Sequence, residues 1–455
     1  MSFMDKLSAT LEKFLLPIAQ KVGSQRHLVA LRDGFIATLT ASMAGAFAVL
    51  INCVFLQNDS LIGKLLNKIS FWSDTVQPVL DDYIINIGWA VQLGTLKIIA
   101  LLLVVTISYS LAKSYDSDPL AAAVIGLASY IALVPSGLTD NVFTLKDGEM
   151  IDGVSDALSL NLFGSTAMFA TIITAFVATE IFVRITKKGW VVKMPDSVPP
   201  AVSKSFAALI PGCLTLVIFG IVSVIFRCGI GKDLPTWISD TVQQPLMALG
   251  QSPATFIFLV FIAQFLWFFG LHGMNIVDGV LKPMYEPPMY ENIDLVSKGL
   301  PAKYALTRNF VDVYAMPGGS GGTLALVIAL LLFSKREESR ELAKLAIAPG
   351  FFQINEPVIF GLPIVLNITY FIPFILTTPL LLTIAWVFTE KIHFANYICQ
   401  QVPWTCPPVI SAFFATNGDW KAMVLAALLF VLSLFIWSIF VIAANKMGNG
   451  QNQEA

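Results

Sequence analysis

Charge is scarce in this sequence. Only 13% of its 455 residues are Asp, Glu, Lys or Arg, and only three are histidine. A soluble domain usually carries about a quarter charged residues, so this chain cannot cover a water-facing surface. Apolar residues reach 56% instead, with 34 Phe and 9 Trp. This composition excludes an ordinary soluble protein and indicates a polytopic membrane protein whose solvent is lipid.

Several chemical signatures are also missing. The sequence has no G-x-x-x-x-G-K-[ST] loop, no strand-flanked G-x-G-x-x-G and no H-E-x-x-H, so ATP-driven pumping or metal-dependent hydrolysis has little support. The net charge of −2 disfavours a nucleic-acid partner. The five cysteines form no C-x-x-C pair and are interpreted as small apolar residues, with metal ligation or disulfide pairing as the minor alternative. We expect no cofactor and no bound metal.

Long uncharged runs predict the membrane-spanning helices of an all-α fold. Two regions are apolar but do not fit a simple span, because residues 345–363 are interrupted by proline and glycine and residues 405–416 are too short. Such stretches are typical of re-entrant elements, whose backbone is satisfied by protein or by a water-filled cavity. The simplest count is about ten transmembrane helices. The predicted spans cover residues 34–56, 84–112, 119–135, 162–183, 206–226, 253–271, 318–333, 364–388 and 421–445.

The placement of Lys and Arg predicts the orientation of the chain. Residues 1–27 are amphipathic, and we expect a cytoplasmic interfacial helix there and no cleavable signal peptide. Residues 136–161 carry five acidic side chains and are expected outside, whereas both termini are expected in the cytoplasm. We divide the chain into a scaffold half at residues 1–230, a substrate half at 231–446 and a cytoplasmic tail at 447–455.

A histidine lies inside an apolar run of the substrate half. The sequence LWFFGLHGMN, residues 266–275, places His272 between two glycines and five residues after Trp267. A histidine in a membrane segment is costly and usually faces a cavity, and flanking glycines let a ligand or another backbone approach closely. We therefore predict that His272 belongs to a ligand site. The alternative is a hydrogen-bonded interior histidine at the end of a helix.

A second polar pair interrupts the apolar sequence QINEPVIFGLP, residues 353–363. Glu356 is the only acidic residue of this stretch. Pro357 disfavours helical geometry at Glu356 and suits the first turn of a new helix. A half-helix should therefore begin here, with Asn355 and Glu356 at its mouth, as in many transporter binding sites. A glutamate that caps this helix and pairs with Lys or Arg is the alternative.

Three weaker signals complete the candidate set. The sequence PGGSGGT, residues 317–323, precedes an apolar run and can either bind an anion or permit tight helix packing. Trp404, in QVPWTCPP, can stack on a sugar ring, although a tryptophan near a membrane boundary is often only an interface anchor. Lys97 lies within a predicted span, where it can snorkel, pair with an acid or contact the substrate.

These motifs carry a resemblance to a known family. Over essentially its full length, the chain resembles the lactose/cellobiose/diacetylchitobiose family of phosphotransferase system (PTS) membrane subunits, the IIC components. The resemblance rests on the amphipathic start, on FFGLHG, on FVDVYAMPGGSGGT and on INEPVIFGLP, the last being highly specific. The block at residues 310–323 departs mildly from the usual form, which has a second Phe before the Asp and an Ala after the last Gly.

The resemblance implies an elevator-type IIC fold, an all-α homodimer with two re-entrant hairpins in its substrate half. A β-linked disaccharide of the cellobiose or diacetylchitobiose type would cross the bacterial inner membrane and be phosphorylated by a separate phosphocysteine-bearing IIB protein, with IIA upstream. His272, Asn355 and Glu356 would bind the sugar near the hydroxyl to be phosphorylated, and Trp404 and Trp267 would stack on its rings. Either Glu356 or His272 would accept the hydroxyl proton. The chain would be a stand-alone IIC, because it carries no Cys-bearing soluble domain.

Three other classes of function fit parts of the sequence. A proton- or sodium-coupled sugar symporter would use Glu356 as its coupling site. An intramembrane enzyme acting on a lipid-linked sugar would need a paired acid and base, for which the second half offers only Glu356 and His272. A purely structural membrane protein is disfavoured by the predicted helix break at Asn355 and Glu356.

Overall fold

The fold is almost entirely helical over the residues that the computed structural model describes. The exception is a hairpin in the acidic segment, where β1 (Val142–Thr144) pairs antiparallel with β2 (Met150–Asp152). The interfacial helix predicted at residues 1–27 and the end of the predicted tail lie mostly outside the described residues, as does most of residues 136–161. The described residues are 21, 24–58, 63–135, 142–144, 150–152, 158–195, 197–362, 364–365 and 367–451.

The apolar runs of the sequence form the helices, and local signals set their ends. Asp118, for example, accepts hydrogen bonds from the backbone N–H groups of Leu120 and Ala121, and Pro119 occupies the first turn of the helix that follows. The α-helices are α1 (Arg26–Leu50), α2 (Gly63–Leu66), α3 (Gln77–Val79), α4 (Ile85–Leu93), α5 (Ile99–Ser114), α6 (Pro119–Leu133), α7 (Met168–Lys187), α8 (Pro200–Ala207), α9 (Leu209–Ile225), α10 (Leu234–Ile238), α11 (Gln244–Gly250), α12 (Pro253–Phe268), α13 (Gly273–Ser297), α14 (Arg308–Tyr314), α15 (Thr323–Phe333), α16 (Glu337–Phe351), α17 (Glu356–Gly361), α18 (Ile368–Trp386), α19 (Ile410–Ala415) and α20 (Trp420–Gln451). Short π-helical or 3-10 stretches extend them at Ile51–Leu56, Trp72–Val76, Leu80–Ile84, Leu96–Ile98, Leu160–Leu162, Ser165–Ala167, Phe226–Ile230, Ser239–Gln243, Ser320–Gly322 and Val387–Lys391.

Several helices are long and apolar enough to cross a membrane. Within the described residues, six stretches qualify by length and composition, and up to seven if Leu234–Gly250 and Pro253–Phe268, which meet at 75°, form one bent span. Pro119–Leu133 and Ser320–Phe333 are apolar but shorter. The several apolar helices agree with the expected membrane protein, whereas the total of about ten spans stays a prediction. The six stretches are Arg26–Cys53, Trp72–Ser114, Ser165–Lys187, Val202–Ile230, Thr369–Lys391 and Trp420–Asn445.

The chain packs as two compact units. The N-terminal unit comprises Ser24–Ser42 and Leu93–Leu246, and the C-terminal unit comprises residues 43–92 and 247–451. Residues 43–92 therefore group with the second half of the chain by their contacts. The functional division into a scaffold half and a substrate half at residue 230 stays a prediction.

The N-terminal unit is built on close contacts between α5, α6 and α7. A Cβ atom added to Gly126 of α6 would lie 2.3 Å from the hydroxyl oxygen of Ser108 on α5. Ala112, Ala122 and Phe182 form a small buried cluster at the same three helices. Small residues at helix contacts let membrane helices pack closely, which explains this core.

The C-terminal unit contains the breaks that position the candidate site. Its largest core packs α12, α13, α14, α18 and α20 through buried side chains such as Phe256, Leu281 and Phe310. Three irregular segments interrupt these helices, and we name them by their contents. The glycine loop is residues 317–322, the Gln353 turn is residues 352–355, and the Trp404 segment is residues 392–409.

Candidate functional site

His272 lies at the start of α13, against the end of α12. Its Nδ1 accepts a hydrogen bond from the backbone N–H of Asn275 at 3.4 Å, so the side chain caps the helix. The Trp267 ring packs on the imidazole with centroids 4.4 Å apart, and Trp267 itself is only 3% exposed. An Nδ1 that accepts leaves the proton of a neutral imidazole on Nε2. In that tautomer the N–H of the His272 ring is on Nε2.

The glycine after His272 serves helix packing. A Cβ atom added to Gly273 would lie 1.8 Å from the backbone oxygen of Ala263 on α12. No side chain fits in this space, so α12 and α13 approach each other at this position. Of the two roles that the sequence allowed for the flanking glycines, Gly273 serves the approach of another backbone.

Asn355 and Glu356 lie at the predicted helix break. α16 ends at Phe351, and α17 begins at Glu356, with Pro357 in its first turn. Asn355 is buried, and its Nδ2 donates to the backbone oxygen of Ser320 at 3.0 Å. Glu356 is exposed, and its side chain forms no hydrogen bond or ion pair with any residue that the structure describes. Its carboxylate is therefore not the paired, capping group that the alternative interpretation required.

The glycine loop is held by hydrogen bonds at each of its first five carbonyl groups. The donors are Leu324 N for Pro317, Thr323 Oγ1 for Gly318, Gly322 N for Gly319, Asn355 Nδ2 for Ser320 and Trp437 Nε1 for Gly321. Two of its N–H groups, those of Gly318 and Gly319, donate to Gln353 Oε1. With these groups occupied, the loop is a packed structural turn, and tight packing is the interpretation that its geometry favours over anion binding.

Side chains are excluded from this loop by both backbone and space. Its four glycines have φ between +69° and +96°, a region that costs other residues energy. A Cβ atom on Gly321 would lie 2.5 Å from the Phe374 ring, and one on Gly318 would lie 2.2 Å from Leu324 N. The PGGSGG sequence is therefore required by the fold at these positions.

Gly318→Ala should lower stability much more than Gly299→Ala. Both glycines have positive φ, +87° and +73°, so both variants pay about 1–2 kcal/mol for a left-handed alanine. Only Gly318→Ala adds a steric clash, because nothing lies within 4 Å of a Cβ atom at Gly299. Thermal unfolding of the purified protein in detergent measures the difference. Equal losses in Tm would show that the loop is not tightly packed.

Trp404 is presented on an anchored but irregular segment. Its side chain is 52% exposed. On one side of it, the backbone oxygen of Val402 accepts a hydrogen bond from Asn309 Nδ2 at 2.9 Å. On the other side, the backbone oxygen of Cys406 accepts one from Gln353 Nε2 at 3.2 Å. The backbone on both sides of Trp404 is therefore anchored, while about half of its side chain stays exposed.

Lys97 belongs to the N-terminal unit, whereas the other five predicted site residues belong to the C-terminal unit. It lies in the 3-10 turn Leu96–Ile98 between α4 and α5, and it is half-buried. The span predicted at residues 84–112 is thus interrupted at this lysine. The contribution of Lys97 to substrate binding stays a prediction.

Two features near the site were missed in the sequence. One is Gln353, whose side chain meets three segments. The other is a buried ionic cluster in which Arg308 contacts Asp278 (Nε to Oδ1, 2.8 Å) and Asp312 (Nη1 to Oδ2, 2.9 Å). Arg308 and Asp312 stand four residues apart, a spacing that favours an ion pair on one helix face. The spacing of Arg308 and Asp312 could therefore have been recognised in the sequence. The pairing with Asp278, thirty residues away on α13, could not, because no local pattern indicates it.

Comparison with known proteins identifies the class. The family model described as phosphotransferase system, EIIC matches residues 32–378. The PTS system cellobiose-specific EIIC component of Lactococcus lactis subsp. lactis (strain IL1403) is 35% identical, over 98% of this chain and 99% of that protein. The lichenan permease IIC component of Bacillus subtilis (strain 168) is 34% identical, over 96% and 93%. The crystal structure of the transporter ChbC, the IIC component from the N,N'-diacetylchitobiose-specific phosphotransferase system, superposes with a TM-score of 0.87 at 30% identity, over 98% of this chain and 99% of that chain.

These similarities define a membrane permease component of a sugar phosphotransferase system. The chain belongs to the phosphotransferase system EIIC family. Proteins of this family are integral membrane permeases that work with IIB and IIA proteins and a sugar substrate. The resemblance inferred from FFGLHG and INEPVIFGLP is therefore confirmed, and the ion-coupled symporter has no support.

Proposed function

We propose that this chain translocates a β-linked disaccharide of the cellobiose or diacetylchitobiose type and presents it to a separate IIB protein. The observation that carries the proposal is the Glu356 carboxylate, exposed at a helix break and without a partner among the described residues. An unpaired acid in an apolar segment is costly and is retained for function. Relatives named for cellobiose and for an oligo-beta-mannoside support the choice of a β-linked sugar.

His272 and Glu356 orient the sugar hydroxyl that receives the phosphoryl group. Because His272 Nδ1 is occupied by a backbone N–H, its neutral ring donates through Nε2. The Glu356 carboxylate accepts the hydroxyl proton as the new O–P bond forms and the S–P bond of the IIB phosphocysteine breaks. We therefore assign proton acceptance to Glu356 and hydrogen-bond donation to His272.

The remaining candidates support the sugar around this pair. Trp404 stacks an open face on a sugar ring, since apolar sugar faces match aromatic faces. Asn355 holds the start of α17 against the glycine loop and contacts the sugar beside Glu356. Trp267 is buried on His272, so we assign it to fixing the imidazole ring, with a ring contact to the sugar only at its edge. Lys97 is retained as a proposed sugar contact.

The finer architecture is part of the same proposal. Residues 345–363 and 405–416 form two re-entrant hairpins, within a total of about ten spans. Residues 231–446 move as an elevator against residues 1–230 of a homodimer whose termini are both cytoplasmic. The three breaks in the C-terminal unit support this arrangement, because irregular backbone at membrane depth is tolerated where it is buried or lines a cavity.

Sugar uptake by this chain should disappear in cells that lack the general phosphotransferase proteins. In the proposed reaction the phosphoryl group comes from IIB, and a sugar that is not phosphorylated can leave the cell again by the same route, so it does not accumulate. The measurement is uptake of labelled sugar with and without those proteins, after purified chain has been screened against cellobiose, diacetylchitobiose, lactose and gentiobiose. Persistent uptake driven by an ion gradient would contradict the proposal, and binding of none of the four sugars would remove its substrate class.

A further inference from the structure

The Gln353 side chain uses its full hydrogen-bonding capacity within the protein. Its Oε1 accepts from the backbone N–H groups of Gly318 at 3.0 Å and Gly319 at 3.2 Å. Its Nε2 donates to the backbone oxygens of Asp312 at 3.4 Å and Cys406 at 3.2 Å. A primary amide has two acceptor sites and two N–H bonds, so every one of them is used, in a side chain that is 6% exposed.

These four bonds join three separate segments to the Gln353 turn, which directly precedes Glu356. The acceptors and donors belong to the glycine loop, to α14 and to the Trp404 segment. Gln353 itself stands three residues before Glu356, in the turn that leads into the first residue of α17. The amide therefore joins the Gln353 turn, directly before Glu356, to the Trp404 segment.

The backbone at Gln353 indicates that its side chain is needed there. Its φ of +66° lies in the left-handed region, which glycine adopts readily and other residues adopt at a cost. Glycine would relieve that cost but would have no amide. Strained backbone persists where the surroundings over-determine it, and here the four side-chain hydrogen bonds do so.

The bond to Asp312 extends this connection toward His272. The Asp312 carboxylate is bound by Arg308, which also binds Asp278. Asp278 lies six residues after His272 on α13. Thus α14 connects the Gln353 amide to α13, the helix that His272 caps.

We propose that Gln353 is a positioning residue that sets the place of the Trp404 ring relative to the Glu356 carboxylate. This inference rests on the proposed function, in which those two groups contact the same sugar. Gln353 does not itself contact the sugar, because all the donor and acceptor sites of its amide are used within the protein. It acts by fixing the distance between the Trp404 ring and the Glu356 carboxylate, between which the disaccharide binds.

Asn292 provides a matched control for this amide. Its Oδ1 accepts from the backbone N–H groups of Lys303 and Tyr304, and its Nδ2 donates to the backbone oxygens of Tyr304 and Ile398. Asn292 is fully buried and also makes four bonds. One of them reaches Ile398 in the Trp404 segment, eight residues before Cys406, and none is to the glycine loop or the Gln353 turn, so this variant controls for a general disturbance of the Trp404 segment. Gln353→Glu and Asn292→Asp each remove two donors and place a carboxylate against two carbonyl oxygens.

The test compares stability, sugar binding and phosphorylation in the two variants. Both should lower Tm, but only Gln353→Glu should weaken disaccharide binding, by about tenfold, the scale of one lost aromatic contact. Titration of the purified chain with the disaccharide gives Kd, and phosphorylation with IIB and IIA gives KM and kcat. The expected loss is mainly in KM. An equal loss of binding in Asn292→Asp would overturn the proposal, because the effect would then be structural.

A double-variant cycle tests whether Gln353 acts through Trp404. In the Trp404→Ala background, Gln353→Glu should weaken binding by no more than about twofold further, since the contact that it positions is gone. A full, additive loss would contradict the inference. If Gln353→Glu does not fold, Gln353→Gly takes its place in every measurement, because glycine suits the φ at this position.

The same measurements distinguish a failure of the positioning role of Gln353 from a failure of the proposed function. If the unchanged chain binds the disaccharide and Trp404→Ala weakens it, while Gln353→Glu and Gln353→Gly leave binding unchanged, the positioning role is wrong and the proposed function stands. If the unchanged chain binds no disaccharide, the proposed function fails before Gln353 is tested.

Discussion

Glu356→Gln is expected to reduce sugar phosphorylation by at least about 100-fold, the usual contribution of a positioned general base. Glutamine keeps the size and one acceptor oxygen of the side chain but cannot take up the hydroxyl proton. Since the Glu356 carboxylate has no ion-pair partner among the described residues, its replacement leaves no cation without its partner. Sugar binding should therefore weaken by less than about tenfold, the scale of one hydrogen bond to a charged group.

The measurement is phosphorylation of the disaccharide by purified chain, IIB and IIA, with Kd determined separately by titration. Glu341→Gln on α16 is the matched control, because Glu341 is an exposed acid paired only with Lys344 at 2.6 Å. This control should leave both quantities unchanged. Intact phosphorylation in Glu356→Gln would remove the base role from Glu356 and leave His272 as the remaining candidate. An equal loss of sugar affinity and of phosphorylation rate would instead indicate that the Glu356 carboxylate only binds the sugar.

The helical fold was predictable because it depends on local properties of the sequence. Uncharged runs of about twenty residues must satisfy their backbone within themselves in lipid, and helices do so. The break before Glu356 was also local, since Pro357 restricts its neighbour and suits a first helical turn. The start of α17 at Glu356 agrees with that reasoning.

The arrangement of the site was not predictable in the same way, because it depends on distant partners. The glycine loop could have bound an anion, and its packed role depends on Gln353, Phe374 and Trp437, which lie 34 to 116 residues from their partners in the loop. The interruption at Lys97 has no proline to mark it. The grouping of residues 43–92 with the second half follows from contacts that composition does not reveal.

Gln353 shows why a motif can be noticed without its function being understood. The sequence QINEP drew attention to Asn355 and Glu356, which carry the chemistry expected of a ligand site. Glutamine at its first position is unremarkable by type, and its role depends on φ and on four backbone groups from other segments. Only the folded chain brings those groups to one amide.

Arg308→Met should be among the most damaging single substitutions in the C-terminal unit. Arg308, Asp278 and Asp312 are each only 11–13% exposed at their side chains. Removing the arginine leaves two buried carboxylates without their cation, and breaking a buried ion pair in this way costs about 3–5 kcal/mol. The loss should also reach the site, since α14 donates to Val402 through Asn309 and accepts from Gln353 at Asp312.

Two further variants separate the charge effect from a general loss of packing. Lys298→Met removes an exposed ion pair with Asp294 and should change stability by no more than about 1 kcal/mol, because water screens that pair. Adding Asp278→Asn and Asp312→Asn to Arg308→Met should recover much of the loss, since neutral amides tolerate burial far better than unpaired carboxylates. Denaturant unfolding and Tm in detergent measure all three. If Arg308→Met were as mild as Lys298→Met, or if the added amides gave no recovery, the cluster would not stabilise α14 through its charges.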